Sequence, residues 1–522
     1  MPRRWGQTIP ALVTAFVFCL LPMDAEAQLT PAQTAGKQIY NEGTSPFGRP
    51  IEAVLGEGST RVPGSLMLCS SCHGFDGKGR AEGGITPSIV IWEAITSPLR
   101  SKDVLGHRRP AYNLLSLRRA ITNGVDPLGK SLGVVMPRYQ MSPRDLNNLI
   151  EYLKVLGKES EPGLTATSIR LGTIVPASGP YAASGQHTVA LIKACFDELN
   201  QQGGIYGRRL ELLVLPASGS TAEIARQAEQ FVRASNLFAM VGILAPGAET
   251  NLADLMERLG VPAIGAFASN TEEDAAGRSK SFYLLSGLSQ QARVLVKFAG
   301  DHARDTAKIA VVYPESMAEL AERVIEQCRA ASLTDVTQLK YMKFEGQRFA
   351  ESLAGQNVRT VFFLGRGREL AEMLASAPAL RWEPTVYQPG TLAGEEVLGI
   401  ASAFADRVFL SFPTLPSDLE PEAVGEYNAL AARHKLSQVQ PARSLATLAS
   451  AKVLIEGLRR SGQQLGREKF IATMAAMYGF QTGLTPPISF GANKRIGALG
   501  AYVVKLDLKN KTFVPVESWV SP

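Results

Sequence analysis

The sequence predicts a multidomain protein, with an all-α first part followed by a two-lobed α/β second part. Three observations lead there. Composition shifts at Gly157, short β-branched runs alternate with amphipathic helices from Ser168 onward, and that alternation restarts near Lys308. A length of 522 residues allows roughly three to four domain equivalents. Apolar and charged fractions of 45% and 20% exclude a disordered or fibrous chain. The net charge of +6 is small for this length and lacks the clustered basic character of a nucleic-acid binder.

The N-terminus reads as an export signal. Arg3 and Arg4 precede the apolar run Ala11 to Leu21, and Ala25-Glu26-Ala27 follows as a small-x-small cleavage site. A run of this length fits a signal peptide and falls short of the ~20 residues that span a bilayer. Cys19 lies inside the run behind Phe18, where a lipid-attachment site would have a small residue. The expectation is cleavage after Ala27 and a soluble periplasmic protein. Its parts are a signal peptide at 1–27, a first domain at 28–157, a linker at 158–167 and a second domain at 168–522. The linker is marked by the polar, Gly- and Pro-ended run Gly157 to Gly163. Residues 28–157 hold 15 basic and 10 acidic side chains, which leaves the second domain nearly neutral.

In the first part, Cys69-Ser70-Ser71-Cys72-His73 is the C-x-x-C-H pattern of covalent haem attachment. Two thiols at this spacing can add to the two vinyl groups of one porphyrin, and the adjacent imidazole then lies beneath the iron. A zinc site would need further Cys or His, and the segment offers only His107. The expected cofactor is therefore one haem c on Cys69 and Cys72, with His73 as proximal iron ligand. Met136, in Gly133-Val134-Val135-Met136-Pro137, is the candidate distal ligand, competing with Met67, Met141 and His107. Gly124 to Ser131 also fits a phosphate-binding loop, but it follows a helical stretch rather than a strand, so no nucleotide is expected there.

Residues 33–157 resemble the class I c-type cytochromes. Gly36 and Tyr40 look like that family's N-terminal helix contacts, Cys72 to Gly79 like its continuation after the histidine, Met136 to Tyr139 like its methionine loop, and Leu146 to Leu156 like its closing helix. The resemblance implies that the Pro87 carbonyl orients the imidazole. The 28 residues between Tyr40 and Cys69 depart from the family and imply an inserted loop.

In the second part, Ile169 to Val175, Leu210 to Leu215, Phe238 to Ile243 and Ala263 to Phe267 read as strands. Val189, Ile192, Phe196 and Leu199 mark a helix face, and Ser220 with Glu223 forms a capping box ahead of the next helix. Strands recur at Lys308 to Tyr313, Val361 to Leu364, Val386-Tyr387 and Val408 to Leu410, with a second capping box at Ser316 and Glu319. Such alternation implies parallel sheets covered on both faces, with ligands at strand carboxyl ends between the lobes. Cys195 and Cys328 fall on helices of different lobes and are expected as free thiols.

Residues 168–522 resemble the type I periplasmic binding proteins, the branched-chain amino-acid and amide receptors. The supporting stretches are Ser178 to Tyr181, Asn200 to Gly207 and Leu484 to Phe490. The resemblance implies solute contacts at Ser178, Tyr181, Ser269 and loop 244–248 in one lobe, and at Arg366 and Thr391 in the other. Pro246 stands where amino-acid binders have a hydrogen-bonding Ser, and Thr391 where they have the carboxylate that holds an ammonium. An Arg in the cleft suits an anion. No hydrolase motif appears, so no enzyme activity is expected.

Together these readings imply an exported monohaem electron carrier fused to a binding domain for a small polar or anionic solute. It would serve a periplasmic or membrane redox partner, and solute-driven closure would alter the haem's surroundings. The alternatives are a periplasmic oxidoreductase subunit that keeps the binding fold for docking, or a receptor that delivers solute to an ABC permease.

Overall fold

A computed structural model describes residues 29–56, 60–79, 87–97, 110–158, 161–268, 279–302, 308–333, 335–437 and 441–522. The export signal, His107 and Ser269 lie outside the described residues. The chain divides into two compact units between Ser160 and Glu161.

The first unit is organised by two helices, Pro31–Glu42 and Pro143–Leu153. Thr30 caps the first through a reciprocal capping box with Gln33, and Pro31 occupies the opening position, where its missing N–H costs nothing. The helices touch at Gly36, where a Cβ would fall 2.0 Å from the Asn148 carbonyl oxygen and 2.7 Å from the Tyr152 Cβ. Tyr40 then meets Tyr152 edge-to-face at 5.6 Å and donates its hydroxyl to the Gly74 carbonyl at 2.8 Å.

The expectation of an all-α first part is corrected. Thr60–Pro63, Glu52–Leu55 and Arg138–Gln140 form a three-stranded antiparallel sheet in that order, so the 41–68 insertion supplies a hairpin. Its strands are four residues long, too short for a period-two pattern to register. Their reason is packing: Ala53 sits opposite Tyr139 and both are buried, while Tyr139 donates its hydroxyl to the Met67 carbonyl at 2.7 Å.

The second unit holds two sheets. The first runs Ile496–Ala498, Ser281–Leu285, Ala263–Ile264, Ala239–Val241, Ser168–Pro176, Arg209–Ala217, all parallel. The second runs Val336–Tyr341, Ile309–Pro314, Thr360–Phe363, Thr385–Pro389, Val408–Phe412, Tyr502–Asp507, Thr512–Pro515, with its last two strands antiparallel. Among the described residues the chain passes between the sheets at 286–287, 413–420 and 499–501. Helices Pro421–Arg433, Pro441–Ser461 and Arg467–Ala475 thereby return to the first lobe, where Leu454, Leu458 and Phe470 join Ile192, Phe196 and Phe238 in one core. Each such fully buried side chain contributes about 1.5–3 kcal/mol before entropy is subtracted.

The Ser220–Glu223 capping box forms as expected on helix Thr221–Ser235. The one at Ser316 and Glu319 does not. Residues Glu315–Met317 turn as a 3-10 helix running into Ala318–Ala330, and the Glu319 carboxylate pairs with Arg323 instead.

Candidate functional site

The carboxyl ends of the two longest strands of the first sheet, Ser168–Pro176 and Arg209–Ala217, open onto a cavity of about 190 Å³. Its lining includes Ser178, Tyr181, Ser218, Gly219 and Pro246. Local sequence explains how they arrive there. Gly179 takes φ +80°, a left-handed conformation that a side chain disfavours, and the resulting turn is closed by the Ala182 N–H donating to the Gly179 carbonyl at 3.1 Å. Tyr181 is thereby set at the start of helix Ala182–Gln201, with 42% of its surface exposed. The cavity thus gathers three of the positions expected from sequence: Ser178, Tyr181 and Pro246 of loop 244–248. Among the described residues its lining has no acidic side chain.

After the neighbouring strands Thr360–Phe363 and Thr385–Pro389 of the second lobe, Arg366 caps helix Gly367–Ser376 and Thr391 lies in the short helix Gly390–Ala393. Gly367 packs so closely on that short helix that a Cβ would fall 1.3 Å from the Ala393 carbonyl oxygen. The cavity lining contains neither residue. The Arg366 side chain is exposed, and its backbone N–H donates to the Glu369 carboxylate at 2.7 Å. The same carboxylate accepts from the Tyr341 hydroxyl at 2.8 Å, and burial together with that bond holds the phenol protonated, far above its usual range. Thr391 directs its hydroxyl to Gln291 Oε1 at 2.6 Å, so towards a solute its oxygen is an acceptor only.

Sequence reasoning missed Arg443. It lies near the start of helix Pro441–Ser461, with its guanidinium carbon 5.6 Å from the Tyr181 ring centroid. Beside it, Ser444 shares a hydrogen bond of 2.8 Å with His187 Nε2. No linear pattern joins residues 181 and 443; only the return of the chain to the first lobe does.

The motif in the first unit forms the short helix Cys69–His73, and Met136 lies half-buried in the loop that precedes strand Arg138–Gln140. Both thiols are free, and burial pushes that of Cys69 up to about 11. His73 Nδ1 lies 2.8 Å from the Ser88 carbonyl, so the residue after Pro87 supplies the contact expected of Pro87. Burial holds this imidazole below the usual histidine range. In the loop at 124–131, the N–H groups of Leu128 and Lys130 each donate to Asp126 Oδ1 at 2.8 Å, so they turn inward rather than toward a phosphate. Cys195 and Cys328 are free thiols on helices of different lobes, as expected.

Two α/β lobes joined by repeated crossings, with a cavity at the carboxyl ends of strands, define a two-lobed solute-binding protein. The chain belongs to the periplasmic binding protein family, whose model matches residues 168–512. It is 26% identical over 145 residues to the Leu/Ile/Val-binding protein homolog 3 of Brucella melitensis, an alignment covering 28% of this chain and 39% of that one. It is 22% identical over 334 residues to the leucine-, isoleucine-, valine-, threonine- and alanine-binding protein of Pseudomonas aeruginosa, covering 61% and 85%. Among solved structures it resembles a branched-chain amino acid ABC transporter protein from Thermus thermophilus with bound valine, at 17% identity and a TM-score of 0.55 over 69% of this chain and 98% of that one. The family and these relatives are named as binding proteins and not as enzymes.

These findings correct the expected haem c. The relatives are named for amino acids and not for haem. The family and these relatives likewise give no support to electron transfer or a redox partner.

Proposed function

We propose that the protein is a periplasmic receptor that takes up a small solute between the two lobes of its second unit and presents it to an ABC permease. The observation that carries this reading is the cavity lined by Ser178, Tyr181 and Pro246 at the ends of two parallel strands. Its volume of about 190 Å³ equals roughly six liquid waters at ~30 Å³ each, which suits a small organic solute. Membership of the family and the names of the relatives support the same role. Arg366 and Thr391 are the second-lobe contacts in this reading, reached when the lobes close.

The chemistry favours a small polar or anionic solute. Pro246 offers neither an N–H nor a hydroxyl, and among the described residues no carboxylate lines the cavity to hold an ammonium. The test is a melting-temperature screen of the full chain against aliphatic amino acids, short carboxylates and their amides. A solute present at 100 times its Kd adds about 2.7 kcal/mol of stability and raises the melting temperature. No rise with any of these compounds contradicts the reading.

A further inference from the structure

Arg443 is half-buried, and its Nη1 is buried without a hydrogen-bond partner. Its guanidinium lies over the Tyr181 ring at 5.6 Å, within reach of a cation–π attraction, but a ring face supplies no acceptor oxygen. Burial depresses its basicity, and among the described residues it makes no ion pair. A guanidinium nitrogen buried without an acceptor is costly, and an acceptor supplied from outside the chain would relieve that cost. The same Tyr181 ring lines the solute cavity, so the guanidinium stands one aromatic ring away from the space that a solute enters, although Arg443 is not itself part of the lining.

We propose that Arg443 is the anion anchor of the cleft, and that the solute is a small aliphatic carboxylate that needs no ammonium group to bind. This rests on the solute-binding reading above and names its chemical class. Planar guanidinium matches carboxylate geometry with two parallel N–H donors, which fits Arg rather than Lys at this position. The cavity wall suits such a solute: Val175, Ile224 and Ala245 supply apolar surface for a hydrocarbon tail, and Ser178 and Ser218 add polar side chains to the lining.

The experiment is calorimetric titration of the full chain with C2 to C8 aliphatic carboxylates, the matching amides and the matching α-amino acids. Binding of at least one carboxylate, ten-fold or more tighter than its amide and no weaker than its amino acid, is expected. Arg443→Gln should lose at least ten-fold for that carboxylate and little for the amide, and Arg443→Lys should recover part of the loss. Ligand-free Arg443→Gln should melt no lower than the parent, because it removes an uncompensated charge. Equal binding of acid and amide, or undiminished acid binding by Arg443→Gln, overturns the anchor while solute binding stands. A ligand-free variant that melts several degrees lower and loses acid and amide equally assigns Arg443 a structural role and also overturns it. No binding by any compound overturns both readings.

Discussion

Gln291 and Thr391 are joined across one hundred positions of sequence: the Thr391 hydroxyl donates to Gln291 Oε1 at 2.6 Å. Gln291 is 1% exposed and sits at the start of helix Leu288–His302, just after the chain first crosses between sheets. Its backbone carbonyl accepts from the Ser411 hydroxyl at 3.0 Å, at the end of the strand that precedes the second crossing. One residue therefore ties the helical turn of a candidate solute contact to two of the three passages between the lobes.

Replacing Gln291 with Leu is expected to cost about 1–3 kcal/mol, because its removal leaves the Thr391 hydroxyl and the Ser286 carbonyl without this partner. Thr391→Val should cost less, since Thr391 is exposed and water can replace it as the partner of Gln291. Urea unfolding of both variants checks the order; equal losses would show that the bond is not what holds the turn.

Gly36→Ala should destabilise the first unit by about 3 kcal/mol, the upper end for overpacking, because the nearest obstacle is the backbone carbonyl of Asn148. Urea unfolding of the full chain, with proteolysis to locate the loosened segment before residue 160, tests this. An unchanged midpoint would mean that the two helices can separate without loss.

Burial holds the His187 imidazole below its ordinary value of 6.5. The unfolded chain therefore takes up this proton first as pH falls. The stability tied to His187 is fully present above 6.5, declines as pH falls towards the depressed folded value, and stays constant below it. His187→Gln, which can keep a hydrogen bond to Ser444, should flatten that part of the stability–pH curve. Parallel curves for parent and variant would contradict the assignment.

What could be read from sequence was local. The Ser220–Glu223 cap and the buried face of Ile192, Phe196 and Leu199 form within a few residues of one another, so their spacing sufficed. The Ser316–Glu319 pair had the same spacing and failed, because the 3-10 turn at Glu315–Met317 placed the helix start further on. The non-local features left no linear trace: strand Ile496–Ala498 pairs with Ser281–Leu285, and Arg443 meets Tyr181. The cysteine–histidine pentapeptide shows the opposite case, a specific local pattern whose expected cofactor the family comparison did not support.

Tyr181 lines the cavity and faces Arg443, so Tyr181→Ala removes one wall of the proposed site without touching either lobe's core. The most direct measurement is native mass spectrometry of the full chain mixed with the carboxylates, amides and amino acids above. The account predicts a one-to-one complex with a small solute that Tyr181→Ala weakens at least ten-fold. No complex with any of them, or one that Tyr181→Ala leaves unchanged, would contradict a solute site at the ends of these strands.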